Sequence, residues 1–218
     1  MTTWQTISVW PYNVASTMVA LMCASPVRAL VDLSSLRLVS CGGSPLAAAV
    51  VKRAIATFGC EFFVSYGMTE CCGKISMSML ESAQRGSGAS DFSEQLETVC
   101  TSGRPFRLQS VRVATEDGAV VEPGNGVVGE VQCRGPTVFD GYWKNPEASA
   151  NSFTADADVA EEEDRWFRTG DLATLDTRGY LSVVDRKTDM ILVGGENVCK
   201  VRFVMLATSS TVCQTLVF

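Results

Sequence analysis

Leu36-Arg37-Leu38-Val39-Ser40-Cys41-Gly42-Gly43-Ser44-Pro45 decides the fold, because it reads as a buried strand running straight into a polar, glycine-bearing loop. Leu36 to Ser40 has the short apolar run of a strand covered by neighbours. Downstream, Leu46, Val50, Ala54, Ile55 and Phe58 fall on one face of a helix. Ser44 is placed to cap that helix, Pro45 sits inside its start where a missing N–H costs nothing, and Gly59 marks its end. Glu61-Phe62-Phe63-Val64-Ser65 is then a second strand, followed at once by Tyr66-Gly67-Met68-Thr69-Glu70. Strand, helix and strand in this order make a right-handed parallel crossover. Both loops therefore leave the carboxyl ends of neighbouring strands, the edge at which open α/β sheets bind ligands.

Beyond Leu80 the texture changes. Ser82 to Asp91 is small and polar, as in an exposed loop. Val111 to Thr115 and Ala119 to Val121 flank Glu116-Asp117-Gly118, a hairpin signal. Val127 to Cys133, Phe167 to Leu175 and Tyr180 to Val184 continue the series of short strands, with Asp176-Thr177-Arg178-Gly179 as a further turn. Such spacing predicts a small barrel or a strongly bent sheet.

Composition narrows the chemistry. The 218 residues carry a net charge of -6, which disfavours a nucleic-acid or anionic-membrane partner. Part of that charge is the run Glu161-Glu162-Glu163-Asp164, which reads as a solvated loop. Histidine is absent, so Ser-His and Cys-His nucleophiles, histidine bases and most catalytic zinc sites are excluded together. The nine cysteines include no C-x-x-C pair, and their odd number favours reduced thiols in a cytoplasmic, intracellular setting. The apolar stretch Met18 to Leu30 is short and carries Pro26 and Arg28, so no transmembrane segment is expected. Leu216-Val217-Phe218 is not a peroxisomal address of the Ser-Lys-Leu type.

Three stretches carry candidate chemistry. Tyr66-Gly67-Met68-Thr69-Glu70 offers a ring to stack on a base, a glycine for close backbone approach, a hydroxyl, and a carboxylate for Mg²⁺. Trp166-Phe167-Arg168-Thr169-Gly170-Asp171-Leu172 places a carboxylate after a glycine at a strand lip, where it suits a ribose diol. Val184-Asp185-Arg186-Lys187-Thr188-Asp189 is a charged cluster before the apolar Met190 to Val193 and the Gly194-Gly195 turn. Taken singly, each is equally a plain turn or a solvated connection. Gly67 to Gly73-Lys74 misses the nucleotide P-loop by one residue of spacing, and Ile75 stands where Ser or Thr belongs.

In this order the stretches resemble the adenylate-forming family of acyl-CoA synthetases, 4-coumarate–CoA ligases, luciferases and peptide-synthetase adenylation domains. Ser40 to Leu46, then Gly129-Glu130-Val131 with Gly135-Pro136 and Gly141-Tyr142-Trp143, extend the resemblance over roughly residues 15 to 198. It implies an α/β chain holding the second half of a large parallel-sheet adenylation domain, then a small β-barrel-like subdomain, cut at the hinge to a C-terminal domain. The implied boundaries are 1–100, 101–184, 185–198 for the hinge, and 199–218 for a divergent tail. Gly43, Ser44 and Pro45 would line the adenine and acyl pocket, with Ser65 and Tyr66 leading into the nucleotide loop. Tyr66 would stack on adenine, Gly67 and Met68 would lie along the nucleotide, Thr69 would touch the α-phosphate and Glu70 would hold Mg²⁺. Asp171 would bind the ribose hydroxyls, with Arg186 beside them, and Gly194-Gly195 would lie near the thiol tunnel.

The implied substrates are a small carboxylic acid, ATP and coenzyme A, with a carrier protein as acceptor if the chain belongs to a peptide or polyketide synthetase instead. Three departures bear on activity. The family's Ser/Thr/Gly-rich phosphate loop is not found, and Lys200 stands in a divergent tail where it is not equated with the family's late catalytic lysine. Thr188 replaces the Lys or Asp usual at the hinge. The expectation is an internal fragment, inactive alone, that binds nucleotide weakly or not at all.

Overall fold

The computed structural model describes residues 12–43, 48–80, 89–154, 165–189, 191–193 and 196–198. They fall into two compact units. The first runs to Ser110 and takes in Gly135–Phe139 and Gly179–Leu181; the second holds Val111–Arg134, Asp140–Arg178 and the chain from Ser182.

The first unit is built on a five-stranded sheet in the order β1 (Tyr12–Ala15), β2 (Leu38–Gly42), β3 (Glu61–Tyr66), β4 (Ser76–Leu80) and β5 (Arg104–Pro105). β1, β2 and β3 are mutually parallel, as the crossover predicts. β4 and β5 run antiparallel to their neighbours, so the sheet is mixed rather than wholly parallel. The crossover helix is α2 (Ala48–Phe58). It buries Val51, Ala54, Ile55 and Phe58 against Val39, Cys41, Phe62 and Val64. Burying side chains of this kind stabilises by about 1.5–3 kcal/mol each. Gly59 ends α2 with φ +62 and donates its N–H to Ile55 O, the expected left-handed cap. The cap and first-turn positions assigned to Ser44 and Pro45 lie outside the described residues.

Sequence reading finds α2 but not the helices at Ser16–Ala24, Ala89–Val99 or Pro146–Asn151. Ser82 to Asp91 reads as loop in sequence, yet α3 spans Ala89–Val99 and sends Val99 into the core, with Leu96 and Cys100 beside it. The short apolar stretch after β1 forms α1 (Ser16–Ala24) and a 3-10 turn, Pro26–Leu30. Among the described residues no helix is long and apolar enough to cross a membrane.

The second unit carries a four-stranded sheet, β6 (Ser110–Ala114), β7 (Gly129–Arg134), β8 (Phe167–Leu175) and β9 (Leu181–Arg186), in sequential order. Of the two forms the strand spacing allows, it takes the open sheet. The hairpin after β6 forms as read: Gly118 has φ +88, Thr115 N donates to Ala119 O, and Ala114 bridges Val120. The Thr115 hydroxyl on Asp117 holds that exposed carboxyl below its usual range. A short helix, α4 (Pro146–Asn151), is capped by the Asn145 side chain, which accepts from Ala148 N. β10 (Ile191–Val193) and β11 (Glu196–Val198) form an antiparallel pair flanking 194–195.

α1 buries Ser16 and Val19 but exposes Met18, Leu21 and Met22, and Val27, Leu30 and Val31 follow. Helices apolar on every side are normally covered, and exposed apolar patches of this kind associate. With Leu21 at 71% and Leu30 at 83% exposure, the purified chain should self-associate and bind hydrophobic dye. Leu21→Lys with Leu30→Lys should shift it toward monomer in light scattering. A wild-type chain that is monomeric and dye-silent would contradict this.

Candidate functional site

The first unit places the expected nucleotide loops side by side. Gly42 on β2 pairs with Ser65 on β3, so the chain leaves both strands at one edge. The approach is close: a Cβ on Gly42 would stand 2.8 Å from Ser65 Oγ, and that hydroxyl donates to Cys41 O at 3.4 Å. Gly43 follows with φ +92, a conformation that favours glycine.

The loop from Tyr66 closes on itself. Ile75 N donates to Tyr66 O at 2.8 Å, and Gly73 N donates to Met68 O at 3.0 Å. Between them Thr69–Cys71 makes a 3-10 turn, and Cys72 stands left-handed at φ +53. Gly67 is the steric key: a Cβ there would lie 1.8 Å from Gly73 O and 2.6 Å from Lys74 Cα, backbone that cannot yield cheaply. Glu70 O accepts from Phe139 N at 2.8 Å, which ties the turn to a distant segment of the same unit. Thr69 is exposed, while Tyr66, Gly67, Met68 and Glu70 are half-buried. Lys74 lies over the Phe63 ring at 4.6 Å.

The second unit brings Asp171 and Arg186 together. Arg186 Nε donates to Asp171 Oδ1 at 3.0 Å, with the aspartate side chain only 8% exposed and the arginine 59%. Asp171 sits where β8 bulges against β7. From Glu130 to Gln132 the chain advances two steps, while their partners Leu172 to Arg168 lie four apart. The excess is an even number, so the alternation of β8 resumes in phase, and Phe167, Thr169, Asp171 and Ala173 are all buried. Gly170, at φ +73, makes the turn.

Sequence reading missed the group that holds this bulge. Glu130 Oε2 accepts from Arg168 Nε at 3.0 Å and Nη2 at 2.8 Å, and Oε1 accepts from Gly170 N at 3.2 Å. Thr169 Oγ1 donates to Val131 O and accepts from Asp171 N. The available signal was Glu130 and Gln132 flanking Val131 on a strand whose residues are otherwise buried. Nearby, Arg112 and Arg134 both stack on Trp166, at 4.4 and 4.9 Å.

The predicted residues thus lie in two assembled groups: Gly43, Ser65, Tyr66, Gly67, Met68, Thr69 and Glu70 in the first unit, Asp171 and Arg186 in the second. Ser44, Pro45 and the Gly194-Gly195 turn lie outside the described residues. Among the described residues no cluster of three His, Cys, Asp or Glu side chains suits a metal. One carboxylate beside a hydroxyl, as at Glu70 and Thr69, fits Mg²⁺ completed by substrate phosphates, which is how that ion is commonly held.

The first unit thus carries a mixed α/β sheet with glycine loops at its carboxyl edge, and the second a bulged strand bearing a buried aspartate. The AMP-binding enzyme family matches residues 5–143, and the chain belongs to that family. It is 38% identical over 182 residues to a feruloyl-CoA synthase from Amycolatopsis, covering 84% of this chain and 32% of the relative. It is 36% identical over 167 residues to a long-chain-fatty-acid–CoA ligase from Yersinia pestis, covering 77% and 25%. The amide bond synthetase of Marinactinospora thermotolerans superposes with a TM-score of 0.71 at 30% identity, over 92% of this chain and 37% of that one. O-succinylbenzoate coenzyme A synthetase from Bacillus subtilis, solved with ATP and magnesium, gives 0.68 at 30% identity, over 93% and 37%. The chain spans about a third of the length of the first relatives it matches.

The thiols report on the first group. Burial pushes the Cys41 thiol above its ordinary value, and the Ser16 hydroxyl only partly offsets this. Cys60 and Cys71 are also buried, whereas Cys72 is exposed. Since the thiolate is the reactive form, iodoacetamide at about pH 8 should label Cys72 and spare Cys41, Cys60 and Cys71 until denaturant is added. Peptide mass mapping reads this directly. Native labelling of Cys41 at the rate of Cys72 would contradict the packing of β2.

Proposed function

We propose that the two groups are the nucleotide-contacting parts of an ATP-dependent carboxylic acid–CoA ligase. Acyl- and aryl-CoA ligases among the relatives support the class. The observation that carries the reading is Asp171: a buried carboxylate, aimed by a strand bulge and paired with Arg186. A carboxylate so held accepts two hydroxyl hydrogen bonds, the demand of a ribose diol.

In this reading the acid's carboxylate attacks the α-phosphorus of ATP, giving acyl-AMP and pyrophosphate, and the CoA thiol then displaces AMP. Tyr66 stacks on the adenine, and Gly43, Ser44 and Pro45 would line the adenine and acyl pocket. Gly67 and Met68 bring backbone close, and the Thr69 hydroxyl bonds an α-phosphate oxygen. Glu70 would hold Mg²⁺, which would supply charge neutralisation at the phosphates. Asp171 and Arg186 fix the ribose. Positioning and charge stabilisation are the task, so the lack of histidine is no objection to it. Residues 185–198 would be the hinge of a C-terminal domain.

A second reading keeps the adenylate and changes the acceptor to an amine or a carrier-protein thiol, and the likeness to an amide bond synthetase supports it. Product analysis with CoA, amines and a carrier protein separates the two.

Losing a hydrogen bond to a charged group costs about 1.5–3 kcal/mol, so Asp171→Ala should weaken ATP binding by about tenfold or more in calorimetry. Unchanged binding would remove Asp171 from the site. For the 218-residue chain alone, carboxylate-dependent exchange of pyrophosphate into ATP should stay at background. Thr69 and Glu70 answer only part of the phosphates' charge, and one missing donor already costs on the order of 10²–10³ in rate. Exchange that disappears in Glu70→Gln would show a working enzyme instead.

A further inference from the structure

We propose that Glu130 is the positioning residue of the ribose site: it fixes Asp171 through the backbone, without itself touching nucleotide. The inference rests on the reading of Asp171 as the ribose carboxylate. Glu130 lies on β7, opposite the bulge, and is 8% exposed. One of its oxygens takes both Nε and Nη2 of Arg168, and the other takes Gly170 N at 3.2 Å. Those donors bracket the bulge, and Gly170 is the residue immediately before Asp171.

The arrangement leaves little freedom upstream of the aspartate. Arg168 is anchored by its side chain and by its N–H on Ser152 O. The Thr169 hydroxyl bonds across to Val131 O and receives Asp171 N. Gly170 stands at φ +73, a conformation that glycine adopts without strain and other residues rarely take. The contact that holds its peptide is the Glu130 carboxylate. A bulge re-aims the side chain that follows it, so the Glu130 to Gly170 bond sets the direction from which Asp171 meets its ligand. A buried carboxylate with three donors is satisfied where it stands, which fits a part that positions rather than reacts.

The test compares Mg-ATP with Mg-2′,3′-dideoxy-ATP, titrated calorimetrically into the full chain. The ratio of the two affinities reads the ribose contacts alone. Wild type should prefer ATP by about tenfold, and Asp171→Ala should bring the ratio near one. Glu130→Ala should bind dideoxy-ATP as wild type does, yet lose most of the preference. Glu130→Gln, whose amide oxygen still accepts from Gly170 N, should recover it. Should Glu130→Ala lose its cooperative melt, Glu130→Asp decides: its shorter carboxylate cannot reach Arg168 and Gly170 together, and the ratio should fall with dideoxy-ATP affinity kept. A wild-type ratio in Glu130→Ala or Glu130→Asp overturns the positioning role while leaving Asp171 in place. Parallel loss of both nucleotides in the folded variants assigns Glu130 a general structural role and also overturns it. A wild-type ratio near one removes the ribose reading and this inference together.

Discussion

The parallel pairing of β2 with β3 is the constraint on which the first unit depends. Parallel neighbours cannot be joined by a tight turn, so the chain must cross over, and the apolar face of α2 covers the sheet as it does so. Pairing Gly42 with Ser65 then puts the next residues, Gly43 and Tyr66, beside each other at one edge. The Gly43 loop and the Tyr66 loop therefore owe their juxtaposition to core packing far below them. Val51, Ala54, Ile55 and Phe58 shape the site without entering it.

The two units fix their loops by different physics. In the first, shape comes from the absence of a side chain: the backbone of Gly73 and Lys74 occupies the space a Cβ on Gly67 would need. In the second, shape comes from charge. Glu130 and Asp171 each bury a carboxylate against a guanidinium, while the arginines remain largely in solvent, at 41% and 59% exposure. Exposed guanidiniums keep part of their hydration, so the desolvation falls mainly on the carboxylates, and hydrogen bonds must offset it.

What was legible follows from range. The strand–helix–strand segment, the hairpin at Glu116-Asp117-Gly118 and the limits of β8 all express local periodicity or turn chemistry; β8 keeps its expected limits, while β2 runs two residues further on than read, through Cys41 and Gly42. β4 was opaque because its serines look like loop residues. Ser76 Oγ donates to Ser102 O, and Ser78 Oγ donates to Val99 O and Thr101 O, so their burial depends on partners more than 20 residues away. α3 was hidden by a polar start that mimics the loop before it. At the site, Asp171 and Arg186 were reached through family resemblance, and nothing in their spacing of 15 residues foretold a 3.0 Å contact. Glu130 was quoted as part of a glycine-rich stretch and passed over, because its partners stand 38 and 40 residues on.

That omission bears on why a charge stands on β7 at all. An apolar residue of similar volume would pack there and spare the desolvation of a carboxylate. It would also leave the Gly170 N–H without its acceptor, and an unmade bond at a buried polar group costs about 1–3 kcal/mol. Crowding does not demand glycine at position 170, since a Cβ there meets nothing within 4 Å; the φ of +73 does. Sterics therefore permit the bulge but do not choose its geometry. The choice is made by directional bonds, Gly170 N to Glu130 before the flexible residue and Asp171 N to Thr169 Oγ1 after it. A carboxylate with two oxygens can hold the arginine and the glycine at once, and so fixes the peptide entering Gly170, the residue before Asp171.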